Sequence, residues 1–136
     1  MQFTPKIALF EPEEPNTALS SRLFTRNQYS IRLVSYPADI LALLQDGESP
    51  FDAAIIWPRL KDGQSGINSC LQMKSLDELA AIPILVLSQS KDKAILEAFY
   101  GAGADIVVSD PFDAQLLSLQ IGAISRLKRS YNEQLR

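Results

Sequence analysis

Residues Phe51 to Gly66 read FDAAIIWPRLKDGQSG. Four small or branched apolar residues, Ala53 to Ile56, run unbroken between Asp52 and Trp57-Pro58. A short apolar run closed by Pro and Gly signals predicts a strand buried on both faces. Such strands lie in the middle of a mostly parallel sheet covered by helices. In those sheets ligands and chemistry gather outside the carboxyl ends of the strands. Trp57 stands at that end, and Asp52 at the other.

Outward from this stretch the same signals repeat. Lys6 to Phe10, KIALF, predicts a first strand, followed by the acidic, proline-broken loop Glu11 to Pro15. Asn16 can cap a helix over 17–26 with Leu19 and Leu23 on its inner face. Tyr29 to Tyr36, YSIRLVSY, reads as a second and more exposed strand. Pro37 opens a short helix with Ile40, Leu41 and Leu44 as its apolar face, and Gly47 closes it. After the loop with Gly63 and Gly66, a helix is expected over 67–75, extending towards Leu79. Pro83 to Leu87 is a fully apolar fourth strand. Ser88 to Ser90 can cap a helix over 91–100, which Gly101 and Gly103 end. A fifth strand covers 105–109. The turn Asp110 to Asp113 caps a last helix from Ala114. Strand and helix alternate with short connections, which predicts one α/β domain with a parallel sheet, doubly wound with helices on both faces.

Composition narrows the function. The 136 residues suit a single core, and 46% are apolar against 21% charged. A formal net charge of -3 argues against nucleic-acid binding through this domain's own field. No apolar run is long enough to span a bilayer, and the start lacks signal-peptide features. A cytoplasmic protein is expected, with no membrane contact. Cys70 is the only cysteine, so no intrachain disulfide can form, and its apolar helical setting predicts a buried thiol. There is no histidine, which removes Ser-His and Cys-His nucleophile pairs and the commonest metal ligand.

KIALFEPEEP, PFDAAII, IPILVLS and GAGADIVVSDPF together resemble the receiver domain of bacterial response regulators, the CheY-like family of two-component signal transduction. The likeness runs from the start to about Lys128. It implies a flavodoxin-like strand order of 2-1-3-4-5 and a cis bond at Asp110-Pro111. Residues 1–128 would be the receiver-like domain, and 129–136 an extension of the last helix or a linker.

The resemblance also assigns a site, and most of it is altered. The acidic pair after the first strand falls on Glu11 and Pro12, with Glu13 or Glu14 as stand-ins. The phospho-acceptor aspartate falls on Trp57. The hydroxyl after the fourth strand is kept as Ser88. The lysine before the cis proline is Asp110, and the switch aromatic of the fifth strand is Val107. Phosphoryl transfer is positioning plus charge neutralisation. Indole offers only an N–H donor, and a magnesium ion needs several oxygen ligands. A degenerate pseudo-receiver is therefore expected, without catalysis and without metal or other cofactor.

Each residue of that pocket also has a plainer reading. Trp57 is either a plug in the former acidic pocket or a surface substitution. Arg59 either pairs with Glu11 or Asp110 or is simply exposed. Glu11, Glu13 and Glu14 are a solvated face or a weak cation site. Ser88 is a loop hydrogen bonder or helix cap. Two other functions are weighed. A working receiver could use a displaced acceptor such as Asp62. A flavodoxin-like cofactor binder would need an anion-attracting loop where EPEEPNT is acidic.

The leading expectation is a phosphorylation-independent module that works by protein contact. Its partner would be another protein, a fused output domain or a second copy of the chain. By resemblance, the contact face comprises the fourth helix, fifth strand and last helix. Leu96, Tyr100, Val107, Leu119 and Gly122 are its candidates. On the last helix, Leu117, Ile121, Ile124 and Tyr131 form the stripe expected to face the sheet. Leu127, Tyr131 and Leu135 continue an apolar period into the tail.

Overall fold

The computed structural model describes residues 4–14, 24 and 28–134, with side chains as far as Arg126. The helix expected over 17–26, with Leu19 and Leu23, falls outside these residues, as do the side chains of Leu127, Tyr131 and Leu135.

Five parallel strands form the sheet: β1 (Lys6–Phe10), β2 (Ser30–Val34), β3 (Ala53–Ile56), β6 (Ile84–Ser88) and β7 (Ile106–Ser109). Their order is β2-β1-β3-β6-β7, the flavodoxin-like order expected once a small hairpin, β4 (Arg59–Leu60) and β5 (Gln64–Ser65), is set aside. The flanking helices are α1 (Pro37–Gln45), α2 (Gly66–Ser75), α3 (Lys93–Gly101) and α4 (Ala114–Gln134).

The sequence pattern sets these positions. Every residue of β3 and β6 is buried, as unbroken apolar runs in central parallel strands should be. β2, at the sheet edge, is largely exposed. Pro37 occupies the first turn of α1, and the Asp39 carboxylate accepts from the Ser35 and Tyr36 N–H groups at 2.9 Å. Leu117, Ile121 and Ile124 are buried beneath α4.

One expected cap is corrected. α3 begins at Lys93, not 91, and its cap is Asp92, whose carboxylate accepts from the Ala94 N–H at 2.9 Å. The Ser88–Ser90 segment instead folds on itself. Ser88 Oγ accepts from the Ser90 N–H at 3.2 Å, and Ser90 Oγ accepts from the Asp92 N–H at 3.0 Å.

At the amino ends of the strands two aspartates act alike. Asp52 donates its N–H to the Lys6 carbonyl at 2.8 Å, and its carboxylate accepts from the Lys6 N–H at 2.8 Å. Asp105 donates its N–H to the Ile84 carbonyl at 2.9 Å and accepts from the Ile84 N–H at 2.7 Å. Each residue just ahead of one strand thus grips the start of its neighbour at two points, β3 onto β1 and β7 onto β6.

Candidate functional site

The carboxyl ends of β1, β3 and β6 open onto a cleft of about 510 Å³. Trp57, Pro58, Leu87, Ile95 and Pro12 supply its apolar lining. Glu13, Glu14, Arg59, Ser88, Gln89 and Ser90 supply the polar part. Of the residues the sequence assigned to a degenerate receiver pocket, Glu13, Trp57, Arg59 and Ser88 meet here. Glu11 and Asp110 do not line this cleft.

Trp57 follows β3 directly and is only 7% exposed. Its ring meets Phe112 edge-on, with centroids 6.5 Å apart and planes at 84°. This is a favourable arrangement for aromatic pairs. The indole Nε1 is buried and has no acceptor among the described residues. A buried donor left without a partner costs about 1–3 kcal/mol. The surface-substitution reading of Trp57 therefore fails, because the side chain belongs to the core.

The loop after β3 is not the plain polar connection its sequence suggested. Arg59–Leu60 (β4) and Gln64–Ser65 (β5) pair antiparallel. The connecting turn is closed by the Gln64 N–H on the Lys61 carbonyl, with φ of 63° at Asp62 and 71° at Gly63. Two successive positive φ values favour Asp-Gly in tight hairpins. The dipeptide Asp62-Gly63 was thus a legible signal.

The acidic loop after β1 lies along this hairpin and joins it through one isolated bridge. Pro12 bridges Leu60, the Glu13 N–H donates to the Arg59 carbonyl at 3.1 Å, and the Lys61 N–H donates to the Glu11 carbonyl at 3.0 Å. The acids consequently face basic partners across the ladder. Lys61 Nζ lies 3.4 Å from the Glu11 carboxylate, and Arg59 lies 4.0 Å from Glu13. Of the two readings of Arg59, pairing with Glu11 or Asp110 is not observed, and the exposed one fits. Arg59 is 86% exposed, so its contact with Glu13 is loose. Lys61, which sequence reading passed over, is the cation beside Glu11.

Asp62 points elsewhere. Its carboxylate accepts from the Tyr36 hydroxyl at 3.2 Å, beyond the end of the edge strand β2. That carboxylate raises the Tyr36 pKa above its ordinary value, first by the hydrogen bond and then by its charge. Asp62 does not line the cleft. Ser88 is fully buried, and its Oγ donates to the Ser90 carbonyl at 3.1 Å as well as accepting from the Ser90 N–H. Asp110 is exposed, donates its N–H to the Ser88 carbonyl at 3.0 Å and precedes a cis peptide bond to Pro111. Among the described residues no three Asp, Glu or Cys side chains converge as a metal would require.

On α3 and β7, Tyr100 is 51% exposed, and its hydroxyl accepts from the Val107 N–H at 3.0 Å. Leu96 and Val107 are half-buried. Leu119 on α4 is 69% exposed, and Gly122 is half-buried beside Arg126. Leu116, 53% exposed, is a further apolar residue on α4 that the helical period did not single out.

The fold matches known proteins. The receiver domain of a signal transduction histidine kinase from Syntrophus aciditrophicus superposes with a TM-score of 0.70 and 18% identity, covering 90% of this chain and 91% of that one. The fold is that of a response-regulator receiver. A second receiver, from the sensor histidine kinase PA1611 of Pseudomonas aeruginosa PAO1, gives a TM-score of 0.70 at 19% identity over 90% and 98% of the two chains. That domain holds a magnesium ion in its active-site cleft. In sequence, the chain is 29% identical over 120 residues to the transcriptional regulatory protein GltR of Pseudomonas aeruginosa. The match takes in 88% of this chain and 48% of GltR, so the chain spans about half the length of that relative. No family model matches the sequence. Trp57 directly follows β3, the position to which the sequence resemblance assigns the phospho-acceptor.

Proposed function

We propose that this receiver domain signals through protein contact and not through phosphorylation. The observation that carries this reading is Trp57. It occupies the carboxyl end of β3, buried and packed edge-on against Phe112. Indole has no oxygen to accept a phosphoryl group or to ligate magnesium. The surrounding chemistry points the same way. Asp110 stands where the resemblance implies a lysine, so that cation is absent from the sequence position that would supply it. The Ser88 hydroxyl is engaged in its own turn. Asp62, the displaced-acceptor alternative, is turned to Tyr36 beyond β2 and away from the cleft. The loop after β1 carries three acids, which disfavours a phosphate-bearing cofactor.

The partner in this reading is a protein surface or an output domain joined to the receiver. GltR, about twice as long, gives the precedent for more chain than a receiver alone. Tyr100, Val107 and Leu119 are the candidate contact residues. The test is incubation with acetyl phosphate and magnesium, read by intact mass. No gain in mass is expected. A stoichiometric, base-labile adduct would overturn the reading.

A further inference from the structure

The two edge strands of the sheet are finished differently. At the β7 edge, the Val107 N–H is taken by the Tyr100 hydroxyl at 3.0 Å. At the other edge, β2 runs parallel to β1, with Ile31 beside Ile7 and Leu33 beside Leu9. The Ser30 N–H donates to the Pro5 carbonyl, and the Val34 carbonyl accepts from the Glu11 N–H, each at 2.9 Å. Alternate residues of a strand turn their backbone groups to the same side, so Ser30, Arg32 and Val34 face β1. Ile31 and Leu33 turn theirs outward. Among the described residues nothing bonds to these two N–H and two C=O groups. The open stretch stops at Ser35, whose N–H the Asp39 carboxylate takes at 2.9 Å.

A row of unpaired backbone groups is a template for another strand, and proteins guard such edges with charge. Here the guard is weak. Arg32, the only charged residue of β2, is bound to Glu48 at 2.9 Å, and Leu33 beside it is 64% exposed. The edge is also complementary to itself. With two β2 strands antiparallel about a two-fold axis at Arg32, Ile31 of each copy lies opposite Leu33 of the other. Residues opposed in this way exchange both N–H···O bonds, so every outward group of both copies is satisfied at once. A slip to the next register sets Ile31 against Ser35, whose N–H is already used. Ile31 and Leu33 share one face of the strand, so the same pairing covers the exposed Leu33 with an apolar neighbour. The two Arg32 side chains meet on the opposite face, each carrying its own Glu48, which leaves the seam with two cations and two anions. We propose that β2 is a self-pairing edge, through which two copies of this chain join into one continuous sheet. Such a dimer is isologous and closed. It uses the opposite edge of the sheet from Val107 and does not depend on whether the domain is phosphorylated.

Sedimentation equilibrium of the full chain should show a reversible dimer with Kd below about 1 mM. Hydrogen exchange of the Ile31 and Leu33 amides should slow as the chain concentration rises. Leu33→Pro removes one outward donor, a change that an edge strand tolerates when that N–H faces solvent. Leu33→Lys leaves the backbone intact and sets a charge in the seam. Each should weaken the dimer at least about tenfold. Should Leu33→Pro fail to fold, Leu33→Lys and the exchange rates decide. Leu71→Lys, at a half-exposed leucine of α2, should leave the dimer unchanged. A chain that stays monomeric throughout would overturn the proposal. So would a dimer that survives Leu33→Lys while the Ile31 and Leu33 amides exchange at an undiminished rate. Equal loss of the dimer with Leu71→Lys would also overturn it, as unspecific apolar association.

Discussion

Gly66 lies directly against the Trp57 backbone: a Cβ at this position would overlap the Trp57 carbonyl oxygen and come 3.2 Å from Ile56 Cγ2. The Gly66 N–H is held by the Pro58 carbonyl at 2.9 Å, so the hairpin returns to the strand end it left. Only a residue without a side chain closes this loop. Gly66→Ala should destabilise the fold by about 1–3 kcal/mol, because the atom it meets is backbone and cannot swing aside. Urea denaturation measures this, and an unchanged midpoint would show that the loop can open.

Trp57 contributes by volume more than by its N–H. Trp57→Ala should cost about 3–5 kcal/mol through the cavity left against Phe112. Trp57→Phe removes some packing but also a buried donor that has no acceptor among the described residues. Its cost should stay below about 1.5 kcal/mol, since the two effects oppose each other. Paired urea curves for the two variants give the comparison. Trp57→Asp should not restore phosphorylation, because Asp110 still stands in the place of a cation, and intact mass reads this.

Cys70 is wholly buried in α2, and burial pushes its thiol pKa up to about 12, with the Lys74 ammonium opposing slightly. In the unfolded chain the thiol ionises from its ordinary value of 9.0. The folded state therefore binds the proton more tightly, and this contribution to stability is complete below about pH 9 and lost as pH rises towards 12. Cys70→Ala should show a shallower alkaline decline in urea midpoint than the parent. Iodoacetamide at neutral pH should leave the folded thiol unmodified and react only when urea unfolds the chain.

Leu117 and Leu119 test the orientation of α4. Leu117 is 1% exposed and Leu119 is 69% exposed. Leu117→Ala should cost about 2–5 kcal/mol, whereas Leu119→Ala should stay within about 0.5 kcal/mol. Guanidinium melts of the two variants provide the contrast. Equal losses would mean that Leu119 is covered in solution.

The fold was legible because its strongest signals were local. Unbroken apolar runs marked β3 and β6, and Pro37 marked the start of α1. The site was legible only in part. Glu13, Trp57, Arg59 and Ser88 converge because strand order brings their loops together, and the resemblance supplied that order. The pairing of Lys61 with Glu11 depends on a hairpin laid across another loop. Only the Asp62-Gly63 turn hinted at it, and no helical or strand period could have revealed the partner. The cap of α3 was misplaced because Ser88, Ser90 and Asp92 all offer acceptors within five residues. Backbone direction, which sequence does not state, chose Asp92.

The two aspartate grips at Asp52 and Asp105 separate alignment from chemistry. Both fasten neighbouring strands at the amino edge of the sheet, β1 with β3 and β6 with β7, on the side away from the cleft. Strand alignment is thus specified without help from the residues at the carboxyl edge. That edge is free to vary: an aromatic such as Trp57 can stand directly after β3, and the strands stay in step. A scaffold fastened in this way can lose one chemistry and acquire another without passing through an unfolded ancestor.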